Sequence, residues 1–445
     1  MNLPVFPLRR HVGAFAAAFV FAALRAADNT PTFTAFDPTG LYTLGEKVGW
    51  TVTFPSGADP AQRHTYLIRK NNFEPLGSGT LDPAAGPATI ETSLDEPAMI
   101  YVEIKSSLAE PDAKPIALGA AVAPEKIARA EPPPADFDDF WQKKIALLHE
   151  IPAEPVLKTG ESGIEGVDYA TITLNNINGA HVYGQLAKPS QPGKYPALLI
   201  LQWAGGPYPL QKSWVTEPAA EGWLALNIEP HDVPGDMPNA FYASLPALIR
   251  RYNTVYDDDR DRNYFLQMYL GAYRAADYLT NHPDWNGKIF LVRGTSMGGQ
   301  QTLALAGLHP KPTHLIAHVP AGADANGNLH GRKAGYPNWK SADPAVADTA
   351  RYFDIVNFAP RIRSKALISM GFLDTVCPPV GIWAAFNHIP APKEVVPLPE
   401  AAHNHQATAE QQQAFTDREK HWRAALVHGA EPELRSLAPE LVAQR

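Results

Sequence analysis

Residues 289–299 read Ile-Phe-Leu-Val-Arg-Gly-Thr-Ser-Met-Gly-Gly, and the order of residue types in this stretch decides the fold. Ile289–Val292 is a short, wholly apolar run without polar alternation, the pattern of a strand buried on both faces. It leads into Gly294-x-Ser296-x-Gly298, and Gln300–Leu308 beyond has helical periodicity. A serine hydroxyl is a weak nucleophile, so it must stand on a sharp turn at the carboxyl end of a strand, where a histidine can reach it. Glycines two places before and after let the neighbouring backbone pass close by. Ser296 is therefore the candidate nucleophile, and the amide of Met297 is a candidate donor to a developing oxyanion.

Outward from this stretch lie more apolar runs: Ala197–Leu201, Trp223–Ile228, Leu315–Val319 and Ala366–Met370, with helical patterns such as Tyr264–Leu279 between them. Strands alternating with helices specify a mostly parallel α/β sheet. In an α/β-hydrolase the nucleophile is followed by an acid and then by a histidine. Asp374 lies just beyond the carboxyl end of the run Ala366–Met370, where it can fix an imidazole tautomer. Asp354 is a rival that precedes that strand. For the base, His403 and His405 share the loop Pro399-Glu-Ala-Ala-His-Asn-His405 between a strand-like Glu394–Leu398 and a helix-like Glu410–Leu426, and spacing leaves both open. A His-x-His metal pair lacks carboxylate partners nearby, so no metal is expected. The second oxyanion amide is expected in Gln202-Trp-Ala-Gly-Gly206, directly after Ala197–Leu201. Trp203 in that loop is either an apolar wall, a platform for a sugar ring, or simply loop packing.

At this point the chain resembles the acetyl xylan esterases and cephalosporin-C deacetylases, carbohydrate esterase family seven, over about residues 120–425. The pieces that carry the resemblance are Pro-Ala-Asp-Phe-Asp-Asp-Phe-Trp (134–141), Gly-x-Ser-x-Gly-Gly (294–299), Tyr-Phe-Asp-Ile-Val-Asn-Phe-Ala (352–359), Leu-Asp-Thr-Val-Cys-Pro-Pro (373–379) and Ala-Ala-Phe-Asn-His (384–388). The resemblance implies an α/β-hydrolase fold, removal of acetyl groups from xylan fragments and other small acetylated substrates, an acyl-enzyme on Ser296, and no cofactor. In the family a histidine follows a proline by four residues in the last catalytic loop, which here selects His403 after Pro399. Where the family has glutamine after the nucleophile, this chain has Met297. Where it has a His-Gly-Tyr loop, this chain has Gln202-Trp203-Ala204, which makes the amide of Ala204 the second donor.

Upstream, short β-rich runs recur about every ten residues between 31 and 122, among them Val48–Phe54, His64–Arg69, Ala88–Thr92 and Met99–Ile104, which predicts a small Ig-like β-sandwich. Residues 123–136, with Pro132-Pro-Pro134, read as a stiff linker, 137–430 as the catalytic domain and 431–445 as a tail. Ser296, Asp374 and His403 all lie at or beyond Ser296, and Pro132-Pro-Pro134 separates the β-module from them, so the module is expected to act on access, stability or assembly rather than on the chemical step. Arg9, Arg10 and the apolar run 12–24 read as an export signal ending near residue 27, shorter than the ~20 residues of a membrane-spanning helix. The expected location is therefore periplasmic or secreted, with no stable membrane insertion of the mature chain.

Hydrophobic residues make up 45% of the 445, enough for a large core, and one cysteine excludes a disulfide framework. A formal charge of −8 argues against nucleic acid as a partner. The run Tyr256-Asp-Asp-Asp-Arg-Asp-Arg262 is either an ion or carbohydrate site at 257–261 or a solvated helix start, and Cys377 reads as packing. Two competing functions share these features: a prolyl-oligopeptidase-like serine peptidase, for which ninety residues of β-structure are too few to form the usual propeller, and a catalytically silent carbohydrate-binding protein.

Overall fold

In the computed structural model, which describes residues 30–110 and 112–437, the N-terminal part forms two sheets. Strands β1 (Thr32–Ala35), β3 (Val48–Thr53) and β6 (Ala88–Thr92) make one. The other has the order β2-β8-β7-β4-β5, from β2 (Leu41–Tyr42), β4 (His64–Lys70), β5 (Glu74–Leu81), β7 (Ala98–Ser106) and β8 (Ile116–Val122). Val48, Trp50, Val52 and Ile90 of the first sheet share one apolar cluster with Ile68, Ile100, Val102 and Ile104 of the second. Alternate residues of β3 point into it, as period-2 geometry requires. The segment read as an export signal, 1–27, lies outside the described residues.

Strands β7 and β8 do not alternate. Residues Ala98–Val102 are all buried, as are Gly119–Val122. Their second face packs on the C-terminal region, where Leu41, Met99 and Ala121 join Phe372, Cys377 and Trp383 in a single cluster. A Cβ on Gly119 would come within 2.7 Å of Phe372 Cβ, and one on Gly40 within 3.2 Å of the Phe372 ring. The stretch read as a linker is likewise fastened down. Asn387 Nδ2 donates to the carbonyls of Pro124 and Ile127 (2.7 and 2.9 Å), the Ala130 amide donates to Asp324 (3.0 Å), and Glu131 meets His330 at 2.7 Å. Prolines stiffen this segment, but side chains arriving from far along the chain hold it.

The main sheet has nine strands in the order β17-β16-β15-β14-β12-β13-β11-β10-β9. In chain order these are β9 (Val156–Gly160), β10 (Val167–Asn175), β11 (His181–Pro189), β12 (Tyr195–Leu201), β13 (Leu224–Ile228), β14 (Trp285–Thr295), β15 (His314–His318), β16 (Lys365–Gly371) and β17 (Lys393–Leu398). From β13 through β17 every pairing is parallel, and the remaining strands pair antiparallel. The hairpin between β10 and β11 turns at Asn178 and Gly179, both at positive φ (56° and 73°), with the Ala180 amide donating to the Ile177 carbonyl (3.0 Å).

The longer helices are α1 (Phe137–His149), α2 (Ser213–Glu221), α3 (Tyr264–Asn281), α4 (Met297–Leu308), α5 (Pro344–Phe353), α6 (Pro379–His388) and α7 (Gln413–Val427). They cover both faces of the parallel strands, which is why those strands read as unbroken apolar runs. Leu199 and Leu201 of β12 point toward α1, α3 and α4, whereas Leu198 and Ile200 point toward α2 and α7. The chain leaves β12 for β13 on one side, while β14 lies on the other. That reversal opens a crevice at the carboxyl ends of β12 and β14, the place where open parallel sheets bind ligands.

Candidate active site

Ser296 stands at the end of β14 with φ 57° and ψ −120°, a conformation that is costly for a residue with a side chain. The surroundings hold it there. Its amide donates to the His318 carbonyl of β15 (2.9 Å), and its own carbonyl accepts from Gln300 and Ala321 (both 3.0 Å). The glycines of the motif are steric necessities. A Cβ on Gly294 would lie 2.2 Å from the carbonyl of Gly298, and one on Gly298 would lie 2.2 Å from the Leu201 carbonyl. The second contact seats the start of α4 against the end of β12, and so brings the Gln202–Gly206 loop beside the serine.

His403 is brought to Ser296 by the loop after β17. Its Nε2 lies 3.0 Å from Ser296 Oγ and its Nδ1 lies 2.6 Å from Asp374 Oδ2. A carboxylate only accepts, so Nδ1–H donates to Asp374 and Nε2 is left to accept from the serine O–H. The other oxygen of Asp374 accepts from the amides of Val376 (2.8 Å) and Cys377 (2.7 Å), which fixes the carboxylate plane. Leu373 N–H donates to the Ala401 carbonyl (3.0 Å), tying the acid's turn to the histidine's loop. All three side chains are buried. His405 is exposed; its ring centre is 5.2 Å from that of His403, at 73°. Asp354 does not join the group. It accepts from the amides of Asp324, Ala325 and Val356 (3.1, 2.8 and 2.9 Å), and burial among these pushes its carboxyl up.

The Cys377 thiol is buried beside Asp374 and Ser296, and burial pushes its pKa well up, so it packs the acid's turn as a neutral group. Asp374, Cys377 and His403 have ligating atoms within 4.8 Å of one another, but the carboxylate oxygens are already engaged by His403 and two amides. The acidic run 257–261 forms the turn before α3, with Asp261 paired to Lys144 (2.6 Å) and Arg260 to Asp136 (2.8 Å). Among the described residues it gathers no set of three ligands.

The amide of Met297 opens α4, where helix geometry leaves the first N–H groups without an intrahelical acceptor. Among the described residues neither this amide nor that of Ala204 has an acceptor. Trp203 is 41% exposed, stacks on Tyr208 (5.7 Å, 18°) and meets Trp214 edge-on (5.2 Å). With Gln202, Trp214, Glu217, Arg293 and Thr295 it lines a cleft of about 200 Å³ beside the serine's turn. The Met297 side chain is buried, its sulfur 3.1 Å from the Tyr252 hydroxyl, which accepts from Tyr336 (2.6 Å).

Sequence reasoning did not find the polar layer behind the Gln202–Gly206 loop. His231, three residues past β13, places Nε2 3.1 Å from the Gly205 carbonyl and Nδ1 3.0 Å from the Tyr264 hydroxyl. Burial pushes its pKa down to about 4, so the imidazole is neutral, donating from Nε2 and accepting at Nδ1. Glu229 is buried nearby with neither oxygen partnered among the described residues, and burial pushes its carboxyl well up. His318, at the end of β15, stacks on Phe415 of α7 (4.1 Å, 8°) between Ser369 and Gln412 and is also pushed down to about 4 by burial. The position of His231 just past a parallel strand was the one available signal for this layer.

The chain is also similar to known proteins. The acetyl xylan esterase (AXE1) family model matches residues 125–327 and 334–421. The acetyl esterase Axe7A of Xylanibacter ruminicola is 30% identical over 373 residues, 81% of this chain and 83% of that one. In fold, the chain is similar to the acetyl xylan esterase of Paenibacillus sp. R4 (TM-score 0.57, 22% identity, 66% of this chain and 96% of that one). It is equally similar to acetyl xylan esterase 1 of Thermoanaerobacterium sp. JW/SL YS485 (TM-score 0.57, 22% identity, 68% and 97%). A family match over residues 125–327 and 334–421, with a relative 30% identical over 81% of this chain, leads to one conclusion: the chain belongs to the acetyl xylan esterase family and is a carboxylic ester hydrolase.

Proposed function

We infer that this protein is a serine acetyl esterase that deacetylates carbohydrate, with Ser296 as nucleophile, His403 as base and acid, and Asp374 holding the imidazole. The observation that carries the reading is the continuous pair of contacts, Ser296 Oγ to His403 Nε2 at 3.0 Å and His403 Nδ1 to Asp374 at 2.6 Å. His403 takes the serine proton as Oγ attacks the acetyl carbonyl, and the carbonyl oxygen becomes an oxyanion that accepts from the amides of Met297 and Ala204. Collapse expels the sugar hydroxyl, which takes its proton from His403, and leaves acetyl-Ser296. Water, deprotonated by the same imidazole, then releases acetate.

Residues 1–27 are read as an export signal, which makes the working enzyme periplasmic or secreted. Among the described residues no helix is long and apolar enough to cross a membrane. Residues 31–122 are read as an Ig-like β-sandwich module, and Trp203 as a wall for the sugar. The test compares 4-nitrophenyl acetate, the butyrate and a peptide nitroanilide as substrates for the wild type and Ser296→Ala. Expected are turnover of the acetate above the butyrate, none of the anilide, and loss of several orders of magnitude in the variant. Retained acetate turnover in a pure, folded Ser296→Ala protein would remove the serine from the mechanism, and anilide hydrolysis would favour a peptidase.

A further inference from the structure

The loop Gln202-Trp-Ala-Gly-Gly206 carries one of the two amides read as oxyanion donors, yet two consecutive glycines give it freedom to turn its peptide planes. Side chains from elsewhere hold those planes. The Gln202 carbonyl accepts from Gln301 Nε2 (3.1 Å), and the Gly205 carbonyl from His231 Nε2 (3.1 Å). Between them, the Trp203 carbonyl accepts from the Tyr208 hydroxyl (3.1 Å). The same hydroxyl lies 3.2 Å from Gln202 Oε1. A phenol has one proton to give, and the carbonyl of Trp203 can only accept. The Gln202 amide can instead turn its NH2 toward the hydroxyl, so the proton goes to Trp203. Burial keeps this phenol protonated.

We propose that Tyr208 is a positioning residue for the oxyanion hole: by fixing the Trp203 carbonyl it aims the Ala204 N–H at the reacting carbonyl oxygen. The reason is covalent. The Trp203 carbonyl and the Ala204 N–H belong to one rigid trans peptide and point in opposite directions, so pinning one directs the other. With the hydroxyl gone, the plane is free to rotate and to present a carbonyl oxygen, rather than a donor, to the developing negative charge. The Tyr208 ring, stacked on Trp203 at 5.7 Å, keeps the side chain in place for this contact. His231 and Gln301 steady the flanking peptides but leave the 203–204 plane to Tyr208.

The proposal rests on the reading of Ala204 N–H as a donor, and the experiment separates the two. In the full-length chain, Tyr208→Phe keeps the ring and removes the hydroxyl. Incorporation of lactic acid, the α-hydroxy analogue of alanine, at position 204 replaces the N–H with an ester oxygen. Removing one oxyanion donor costs about 10²–10³ in kcat. The ester is expected to show a loss of that size on 4-nitrophenyl acetate, and Tyr208→Phe a loss of about tenfold or more, each with KM changed less than about threefold. Combining them is expected to cost little beyond the ester alone, because a misaimed donor that has already been deleted cannot be lost again. An ester with wild-type kcat overturns the donor reading and the proposal with it. A damaging ester beside a fully active Tyr208→Phe overturns the positioning role alone, as do losses that simply multiply in the combined protein. Unchanged thermal midpoints separate these effects from loss of fold.

Discussion

Two imidazoles lie two residues apart in the loop after β17, and only one has both ring nitrogens engaged with the serine and the acid. His403→Ala is expected to lower kcat on 4-nitrophenyl acetate by about four to six orders of magnitude, since members of such a unit fail together. His405→Ala, at the exposed position, is expected to stay within about threefold to tenfold of wild type. A reversed order of damage would move the base to His405. The serine and the acid were legible because each sits at a fixed place, the end of an apolar strand run. The histidine was not, because nothing in a loop of unknown path says which ring points inward, and only the resemblance separated the two. Tyr208, Tyr252 and His231 were illegible for a further reason. They come from separate segments and several of their partners are backbone atoms, which leave no mark on the residue alphabet.

At the scale of the element, strands covered by helices on both faces announced themselves as apolar runs, whereas β9 did not, since all five of its residues are exposed at the sheet's edge. Helix α2 was hidden by Pro218, a residue that lacks the N–H a helix interior uses. Strand β15 ends in His318, packed between β16 and α7 and held neutral by burial, with its pKa pushed from 6.5 to about 4. Between those values the unfolded chain binds a proton that the folded one refuses, so stability rises with pH there. The contribution is complete above about pH 6.5 and is lost as pH falls toward 4; a change of that size corresponds to roughly 3 kcal/mol. His318→Gln is therefore expected to flatten the slope of unfolding free energy over this window, measured by urea denaturation at a series of pH values. An unchanged slope would mean that His318 titrates normally. The buried carboxyls of Glu229 and Asp354 act with the opposite sign, which is why the difference between variant and wild type is the quantity to compare.

At the scale of the whole molecule, the N-terminal sheets share a core with the strands that carry the acid. The expectation that they act on access, stability or assembly rather than on the chemical step takes no account of Gly119, which packs so close to Phe372, two residues before Asp374, that a Cβ there would lie 2.7 Å from Phe372 Cβ. Gly119→Val would place its Cβ 2.7 Å from Phe372 Cβ, so one of the two must shift. Overpacking of this kind costs about 1–3 kcal/mol. We expect a lower thermal midpoint and a fall of about tenfold in kcat, because the shifted Phe372 carries the Asp374 turn with it. Gly77→Val, in the same N-terminal region with nothing within 4 Å, is the control and is expected to change neither. Equal activity in the two variants would confine the N-terminal sheets to access, stability or assembly. Two packed regions were legible from the period-2 and apolar patterns, but the seam between them was not. Met99 and Ala121 look like ordinary strand residues until both sides of their sheet are seen to be covered.

That seam also sets a timetable. Met99 and Ala121 are synthesised early, and their partners from Phe372 to Trp383 follow roughly 250 residues later, at ~5–20 residues per second. For an interval on the order of tens of seconds, the growing chain shows an oily face with nothing of its own yet made to lay against it. The finished enzyme buries Met99 and Ala121, so the exposure belongs to the half-made chain and falls between the emergence of β8 and that of β16.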